Sequence, residues 1–223
     1  MKKQFLSLLT FVAVAVLTVS CGETKNETKA EDAKAEKEIT AEAVKYTVDV
    51  ANTTVTWKGS KVIGGSHNGT MNVSNGTFAM KDGNLESGNF VIDVNSLTVL
   101  DIPADDDGNA SLKGHLLSPD FFDAANHGSA AFSVTGVSEK DGKTMVEGNL
   151  TLKGTKKNIS FPAKVNVVGN QAMIVSEPFT INRTDFGMIY GSSSFIDGLK
   201  DKAISDDVEL SVSVTANKVE AAQ

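Results

Sequence analysis

Apolar and polar residues alternate along most of the chain after residue 44. The alternation is most regular at 90–95, 132–134 and 208–214. Because successive side chains of a β-strand point to opposite faces of a sheet, this pattern is typical of strands with one buried face. Turn signals separate the apolar segments at Asn75-Gly76, Asp82-Gly83, Asp141-Gly142 and Gly169-Asn170. The pattern predicts about eight or nine antiparallel strands joined by hairpins, in either a sandwich or a closed barrel.

Residues 100–126 interrupt the alternation and predict a short helical element. Ser111 is placed to cap a helical turn over 112–117, and Ser118-Pro119-Asp120 to begin a second turn with proline near its start. The adjacent pair Phe121-Phe122 suits a lid or plug across one end of a barrel.

The first 20 residues predict a secretory signal peptide. Two lysines precede an apolar segment at 5–17 that is too short to span a bilayer stably. The sequence Leu-Thr-Val-Ser-Cys at 17–21 resembles a bacterial lipobox, which predicts an acyl anchor on Cys21, the one cysteine of the chain. We therefore expect a lipid-anchored protein of the bacterial cell envelope, in the outer membrane by analogy, facing the periplasm or the cell surface.

Residues 21–43 are polar and rich in acidic side chains, with almost no bulky apolar residue to bury. Such a composition predicts a flexible tether. As a coil it would hold a domain at 44–223 roughly 25 Å from the membrane.

The charge of the chain excludes some classes of partner. The formal net charge is −7, and no cluster of basic residues stands out. Because a protein binds the phosphate backbone of a nucleic acid through clustered Lys and Arg side chains, we expect no nucleic-acid binding.

Seven short segments carry a family resemblance in order and spacing. They are 46–49, 55–59, 65–70 (Gly-Ser-His-Asn-Gly-Thr), 88–93, 114–123 (Gly-His-Leu-Leu-Ser-Pro-Asp-Phe-Phe-Asp), 148–154 and 181–187 (Ile-Asn-Arg-Thr-Asp-Phe-Gly). Together they resemble the YceI-like family from about residue 44 to the last strand. The resemblance implies an all-β, antiparallel, eight-stranded lipocalin-like barrel whose interior holds an isoprenoid or another long-chain amphiphile, often in the periplasm.

An eight-stranded barrel either fills with side chains or encloses one slender ligand. The residues that we expect to line such a site are apolar and mostly aromatic: Trp57, Phe78, Phe90, Ile92, Phe132, Val134, Leu150, Leu152, Phe179, Ile181, Phe186 and Tyr190. Each of them also suits an ordinary core position. Trp57 and the tyrosines additionally offer a polar group to a quinone or another head group.

The polar candidates are few. His67, His115 and His127 do not have the spacing of a metal site, and the acidic run at 105–108 lacks the ligand positions of an EF-hand, so we expect no metal and a solvated loop. His115 is interpreted as a rim residue. Arg183, the one arginine, precedes Asp185 by two places; in a strand both would face one side, which favours an ion pair or backbone clamp at the barrel end over a head-group contact.

These observations favour a membrane-anchored protein that binds a long-chain amphiphilic lipid for transport or sequestration and requires no cofactor. A monomer and a homodimer both remain open. The alternative is an envelope enzyme that acts on a lipid, with His115 and Asp120 as acid and base, although no nucleophile or phosphate loop accompanies them. A third interpretation, a surface module that binds a protein partner, rests only on the tether and the acidic charge.

Overall fold

The alternating segments form strands of one antiparallel sheet in the computed structural model, which describes residues 26–220. The strands are β1 (Glu31–Asp32), β2 (Val44–Val48), β3 (Thr54–Lys61), β4 (Ser66–Lys81), β5 (Asn84–Asp93), β6 (Ser129–Lys140), β7 (Lys143–Leu152), β8 (Thr155–Val168), β9 (Gln171–Ser176), β10 (Phe179–Asn182) and β11 (Ile204–Lys218). The helix α1 spans Asp107–Leu117, and short 3-10 helices span Val50–Asn52, Val94–Ser96, Arg183–Phe186 and Lys200–Lys202.

The sheet closes into a barrel with eight strand positions. β2 and β3 share one position, since both pair with β4 on one side and β11 on the other. β9 and β10 share another beside β11, and β9 completes the ring by pairing with β8. All of these ladders are antiparallel, so the predicted eight-stranded antiparallel barrel is confirmed.

The two ends of the barrel differ. Tight turns at 82–83, 141–142 and 169–170 connect strands at one end, which we name the turn end. The opposite end, the loop end, carries the connections 62–65, 94–128, 153–154 and 183–203. Three of the four predicted turns are therefore confirmed, and Asp82 and Asp141 have the positive φ that such turns require.

The predicted turn at Asn75-Gly76 is wrong. Both residues lie inside β4, beside a register shift between Val73 and Asn75 that marks a bulge. A Cβ on Gly76 would lie 2.7 Å from Val48 Cγ2. The glycine therefore permits close packing within the barrel instead of reversing the chain.

The helix begins earlier than expected. Asp106 caps it, because its Oδ1 accepts a hydrogen bond from the Gly108 N–H at 2.7 Å, and Asp107 lies in the first turn. The prediction that Ser111 caps the helix is wrong. The acidic run at 105–108 was expected to form only a solvated loop, but Asp107 and Gly108 lie in α1. Residues 118–120 form turns and no second helix.

The N-terminal segment, residues 26–43, is held on the barrel wall. Thr28 N–H donates to Thr180 O at 2.9 Å, and Glu31 and Asp32 pair with Asn158 and Lys157. In the described part of the chain no ladder joins β8 directly to β10, so residues 27–32 fill the seam between these two strands. The N-terminal segment thus completes the wall.

Buried polar groups hold the rest of the N-terminal segment. Asn149 is 2% exposed; its Nδ2 donates to Lys34 O at 2.7 Å, and its Oδ1 accepts from Lys34 N–H at 3.0 Å. Glu86 is 9% exposed and accepts from the N–H and Oγ1 of Thr40. The expectation of a flexible tether is therefore corrected for residues 26–43. The predicted signal peptide and Cys21 lie outside the described residues.

We expect Asn149→Ala to lower the free energy of unfolding by about 2–3 kcal/mol. The substitution removes both hydrogen bonds to Lys34 and the acceptor that Asn158 Nδ2 contacts at 3.1 Å. Urea denaturation measures the loss, and trypsin should cleave faster after Lys34 and Lys37. The control is Asn89→Ala on the exposed face of β5, which should change stability by less than about 0.5 kcal/mol. Equal losses in the two variants would contradict the role of Asn149.

Candidate ligand-binding cavity

A cavity of about 320 Å³ occupies the barrel interior. The inner side chains of β11, Val208, Leu210 and Val212, line it and are only half-buried, although they face into the barrel. Cavity residues at the loop end are exposed, whereas the buried Tyr46 and Phe78 pack at 5.4 Å between ring centroids in the turn-end half. The barrel is therefore hollow, open at the loop end and closed at the turn end.

Most of the predicted lining residues meet around this cavity. They are Trp57, Phe90, Ile92, Phe132, Val134, Leu150, Leu152, Phe179 and Ile181. They come from β3, β5, β6, β7 and β10, so the alternation of each strand brings distant parts of the chain to one surface.

Three predicted lining residues lie elsewhere. Phe78 is 1% exposed and stacks on Tyr46, where it forms core. Phe186 is fully buried in the 3-10 helix Arg183–Phe186. Tyr190 lies at the mouth and is 43% exposed. The alternation of inward and outward side chains could not place Phe186 and Tyr190, because the chain leaves the sheet after β10.

The sequence interpretation missed a part of the lining. Phe161 contacts Phe132 at 5.5 Å and stacks on Phe179 at 4.4 Å between centroids, which completes a row of aromatic rings along one wall. The alternation of Ile159, Phe161 and Ala163 in β8 was the signal for it. Leu112 and Leu116 of α1 also line the cavity, so the helix borders the mouth at the barrel end where a lid or plug was predicted.

Trp57 supplies a polar atom in this apolar interior. The side chain lines the cavity and is 7% exposed. Its indole Nε1 is one of two buried side-chain nitrogen or oxygen atoms in residues 26–220 without a hydrogen-bond partner. A buried donor without a partner costs about 1–3 kcal/mol. Less than 1 Å² of Nε1 is accessible, so a ligand that carries an acceptor oxygen would remove this cost only after a shift of the indole ring or of its neighbours.

An aromatic and acidic cluster surrounds the mouth. His115 lines the cavity and lies edge-on to Tyr190 and Phe121, at 4.7 and 5.1 Å between ring centroids. Its Nε2 is 3.0 Å from Asp120 Oδ2. The structure thus brings together the two groups that the sequence suggested as acid and base, on the half-exposed rim.

Arg183 forms a backbone clamp. The side chain is 2% exposed and donates from Nε to Ser205 O at 2.9 Å, from Nη2 to Ile204 O at 3.2 Å, and from Nη1 to Met188 O. Burial lowers the pKa of its guanidinium, and the nearby Asp206 opposes that shift. The clamp ties the start of β11 to the segment after β10.

The predicted pairing of Arg183 with Asp185 is wrong. These residues lie in a 3-10 helix and not in a strand, so a spacing of two does not place them on one side. Asp185 is exposed, and Asp206 is the acidic partner of Arg183, at 3.4 Å.

A second contact between a histidine and an aspartate, that of His67 with Asp101, lies at the mouth. His67 Nδ1 is 2.7 Å from Asp101 Oδ2, and Asp101 Oδ1 accepts from Asn68 N–H at 2.8 Å. Burial raises the pKa of Asp101, but these hydrogen bonds outweigh burial and leave the pKa below its ordinary value. The pair joins β4 to the segment that precedes α1.

Residues 26–220 lack two further features. No group of three or more His, Cys, Asp or Glu side chains there has the arrangement of a metal site. None of the helices in this part of the chain has the length and hydrophobicity that a bilayer-spanning helix needs.

Fold and cavity together define a small β-barrel with a hollow, apolar interior, the architecture of a protein that encloses a slender ligand. The family model of the YceI-like domain matches residues 46–216, and the chain belongs to this family.

Similar proteins agree with this assignment. A UPF0312 protein of Vibrio campbellii is 31% identical over 168 residues, which cover 70% of this chain and 85% of the relative; one of Vibrio parahaemolyticus is 30% identical with the same coverage. Among solved structures, BcnA of Burkholderia cenocepacia matches with a TM-score of 0.60 and 23% identity, over 76% of this chain and 99% of that one. A polyisoprenoid binding domain from Saccharophagus degradans matches with a TM-score of 0.55 and 16% identity, over 79% and 99%.

Proposed function

We propose that this protein is a lipid-anchored carrier or sequestering protein of the bacterial cell envelope, which encloses the chain of an isoprenoid, quinone or similar amphiphile in its barrel. The observation that carries the proposal is the apolar cavity of about 320 Å³, open at one end. This volume is at the lower end of the range for small-molecule sites, so it suits a slender chain. The fold shared with a polyisoprenoid binding domain supports the same class of ligand.

The orphan donor of Trp57 narrows the ligand class. Hydrocarbon chains leave the indole N–H without a partner, whereas a quinone carbonyl or an ester oxygen accepts its hydrogen bond. We infer that the ligand has an uncharged acceptor oxygen near Trp57 and an apolar chain along the wall formed by Phe132, Phe161 and Phe179.

The direct test is mass spectrometry of lipid extracted from protein that was purified gently from the envelope. We expect one amphiphile at a ratio near one per chain. Consistent absence of any stoichiometric lipid would overturn the proposal.

We expect Trp57→Phe to lower affinity for a long-chain quinone by about tenfold, which corresponds to about one hydrogen bond. Phenylalanine keeps an aromatic ring in the wall but lacks the N–H donor. Affinity for squalene, a hydrocarbon without an acceptor, should stay within about twofold. Each protein is loaded with quinone or with squalene, and mass spectrometry then measures the amount of each ligand that is retained per protein. An equal loss of both would attribute the effect to packing and contradict the hydrogen bond.

The enzyme interpretation has one observation in its favour, the contact between His115 and Asp120 at the mouth. Both side chains are partly exposed, and such a contact is also typical of a loop ion pair. We propose binding without catalysis. His115→Ala should then change lipid retention and leave the retained lipid chemically intact; a lipid product that disappears in this variant would favour the enzyme.

A further inference from the structure

The N-terminal segment runs along the barrel from the turn end toward the loop end. β1 pairs antiparallel with β8, which itself runs from the loop end to the turn end. Glu27 forms a parallel bridge with Thr180 of β10, a strand that runs toward the loop end. Both pairings give residues 27–32 the same direction. The chain before Asn26 therefore leads toward the turn end.

Polar contacts connect Asn26 to the turn end. Its Nδ2 donates to Pro178 O at 3.0 Å and to Glu177 Oε2 at 3.3 Å. The same carboxylate oxygen accepts from Lys143 Nζ at 2.6 Å, next to the tight turn at 141–142. One carboxylate thus joins the start of the N-terminal segment to a turn of the turn end.

The chain between Asn26 and Cys21 is short. Asn26 is five positions after Cys21, and a fully extended chain of that length spans about 17 Å. Because residues 26–43 are held on the barrel wall, they do not lengthen this connection. The distance between the barrel and an acyl group on Cys21 is therefore set by only a few residues.

The loop end lies further from Asn26 than this connection can reach. Glu177 N–H donates to Pro162 O at 3.0 Å, which places Asn26 near the level of Pro162 in β8. From Pro162 to Thr155, where β8 begins at the loop end, the strand rises about 23 Å, or about 18 Å along the axis of a barrel with tilted strands. The helix α1 borders the mouth and adds about 10 Å. A membrane at the mouth would thus lie about 28 Å from Asn26, beyond the reach of about 17 Å.

The charges at the two ends favour the same orientation. Exposed acidic side chains of the loop-end connections include Asp101, Asp105, Asp106, Asp107, Asp120 and Asp185. The turn end has a more even mixture, with Lys81, Lys140, Lys143 and Lys218 beside Asp82, Asp141 and Glu177. Because like charges repel, a bilayer that contains anionic lipid would repel the loop end more than the turn end.

We infer that an acyl anchor on Cys21 holds the turn end of the barrel toward its own membrane and the cavity mouth away from it. Lipid then enters and leaves the cavity on the side that faces away from the anchoring bilayer. This inference rests on the lipid anchor of the proposed function. It adds that the protein does not take up its ligand directly from the membrane to which it is attached.

The first test measures orientation by energy transfer. In the acylated chain the thiol of Cys21 is blocked, so an introduced cysteine is the one free thiol. Val168→Cys labels the turn end and Ile63→Cys the loop end, at positions that are 69% and 67% exposed. Each labelled protein is reconstituted in phosphatidylcholine vesicles that contain a head-group-labelled acceptor lipid. Because the two ends are separated by about 33 Å, we expect transfer at position 168 to be at least about twofold more efficient than at position 63.

A longer connection is the matched control. Insertion of about 20 Gly and Ser residues between Gly22 and Glu23 adds a flexible chain with an average reach of about 25 Å and leaves the barrel unchanged. We expect this insertion to remove most of the difference between positions 168 and 63. Persistence of the full difference would show that the short connection does not orient the barrel, and would overturn the inference.

The second test measures lipid exchange. A long-chain quinone is supplied either in the vesicles that anchor the protein or in separate phosphatidylcholine vesicles, and mass spectrometry follows the quinone bound per protein. We expect the anchoring vesicles to load the protein no more than about twofold faster than the separate ones. The inserted linker should raise loading from the anchoring vesicles by about tenfold or more, because the mouth can then face a surface of high effective concentration.

Three outcomes would overturn the inference. They are equal or higher transfer at position 63 than at position 168, much faster loading of the parent protein from its own vesicles, and an N-terminal peptide whose Cys21 is not acylated. The bound quinone separates this inference from the proposed function. A protein that binds quinone with its mouth toward the membrane would refute the orientation alone, whereas an oriented protein that binds no lipid would refute the carrier function alone.

Discussion

Val212→Trp is expected to reduce lipid binding by about a hundredfold or more, a loss of about 2.7 kcal/mol of binding free energy. Val212 points into the cavity from β11 and is only half-buried there. A cavity of about 320 Å³ cannot hold an indole ring and a lipid chain side by side. Because the new ring enters empty space, we expect the free energy of unfolding to fall by less than is typical of overpacking, which costs about 1–3 kcal/mol.

The control for this prediction is Val175→Trp. Val175 lies on the neighbouring strand β9 and is 45% exposed, so the same chemical change falls outside the cavity. Lipid per protein is measured by mass spectrometry, and folding by circular dichroism and urea denaturation. Retention of lipid by a folded Val212→Trp protein at the level of the Val175→Trp protein would show that the lipid binds elsewhere.

Gly69→Ala is expected to lower the free energy of unfolding by about 3 kcal/mol or more, which is large for the addition of one methyl group. A Cβ at position 69 would lie 1.8 Å from Thr98 O and 2.8 Å from Trp57 Cζ2. Thr98 cannot move away easily, because its N–H donates to Thr70 O at 2.9 Å and its Oγ1 is 2.8 Å from Thr70 Oγ1. The substitution therefore separates the segment after β5 from the wall beside Trp57.

The matched control for Gly69→Ala is Gly59→Ala. Gly59 lies on β3, next to the same β4 strand, and a Cβ there would meet no atom within 4 Å. We expect a change of less than about 0.5 kcal/mol for this control. Urea denaturation of both variants, followed by Trp57 fluorescence, gives the comparison, and equal stability would refute the steric argument. If Gly69→Ala yields no soluble folded protein while Gly59→Ala does, the argument holds.

The barrel and much of its cavity could be predicted from the sequence because both depend on local alternation. The period of two in β5, β6, β7 and β11 fixes which side chains face inward, and closure of the sheet then brings them together. Prediction failed where that period ends. Asp185 lies in a 3-10 helix that follows β10, so the alternation that placed it on the same side as Arg183 does not hold there. Phe186, in the same helix, is fully buried and does not line the cavity.

Closely similar sequence signals also had different outcomes. Asn75-Gly76 and Asp82-Gly83 both suit a turn, yet the first lies in the middle of β4, where a Cβ on Gly76 would lie 2.7 Å from Val48 Cγ2. Likewise Ser111 and Asp106 are both good helix caps, and the structure uses the earlier one. These choices depend on neighbours that are distant in sequence.

By itself the sequence determined the strand pattern, the inward apolar face and the family to which the chain belongs. Only the tertiary structure decided that the barrel is hollow, that Trp57 has a donor without a partner, and that residues 26–43 bind the barrel wall. The composition of that N-terminal segment is that of a coil, but Asn149, Glu86 and Thr180 offer it hydrogen bonds from positions at least 46 residues further along the chain. Such partners are set by three-dimensional closure of the sheet, which no local pattern of hydrophobic and polar residues encodes.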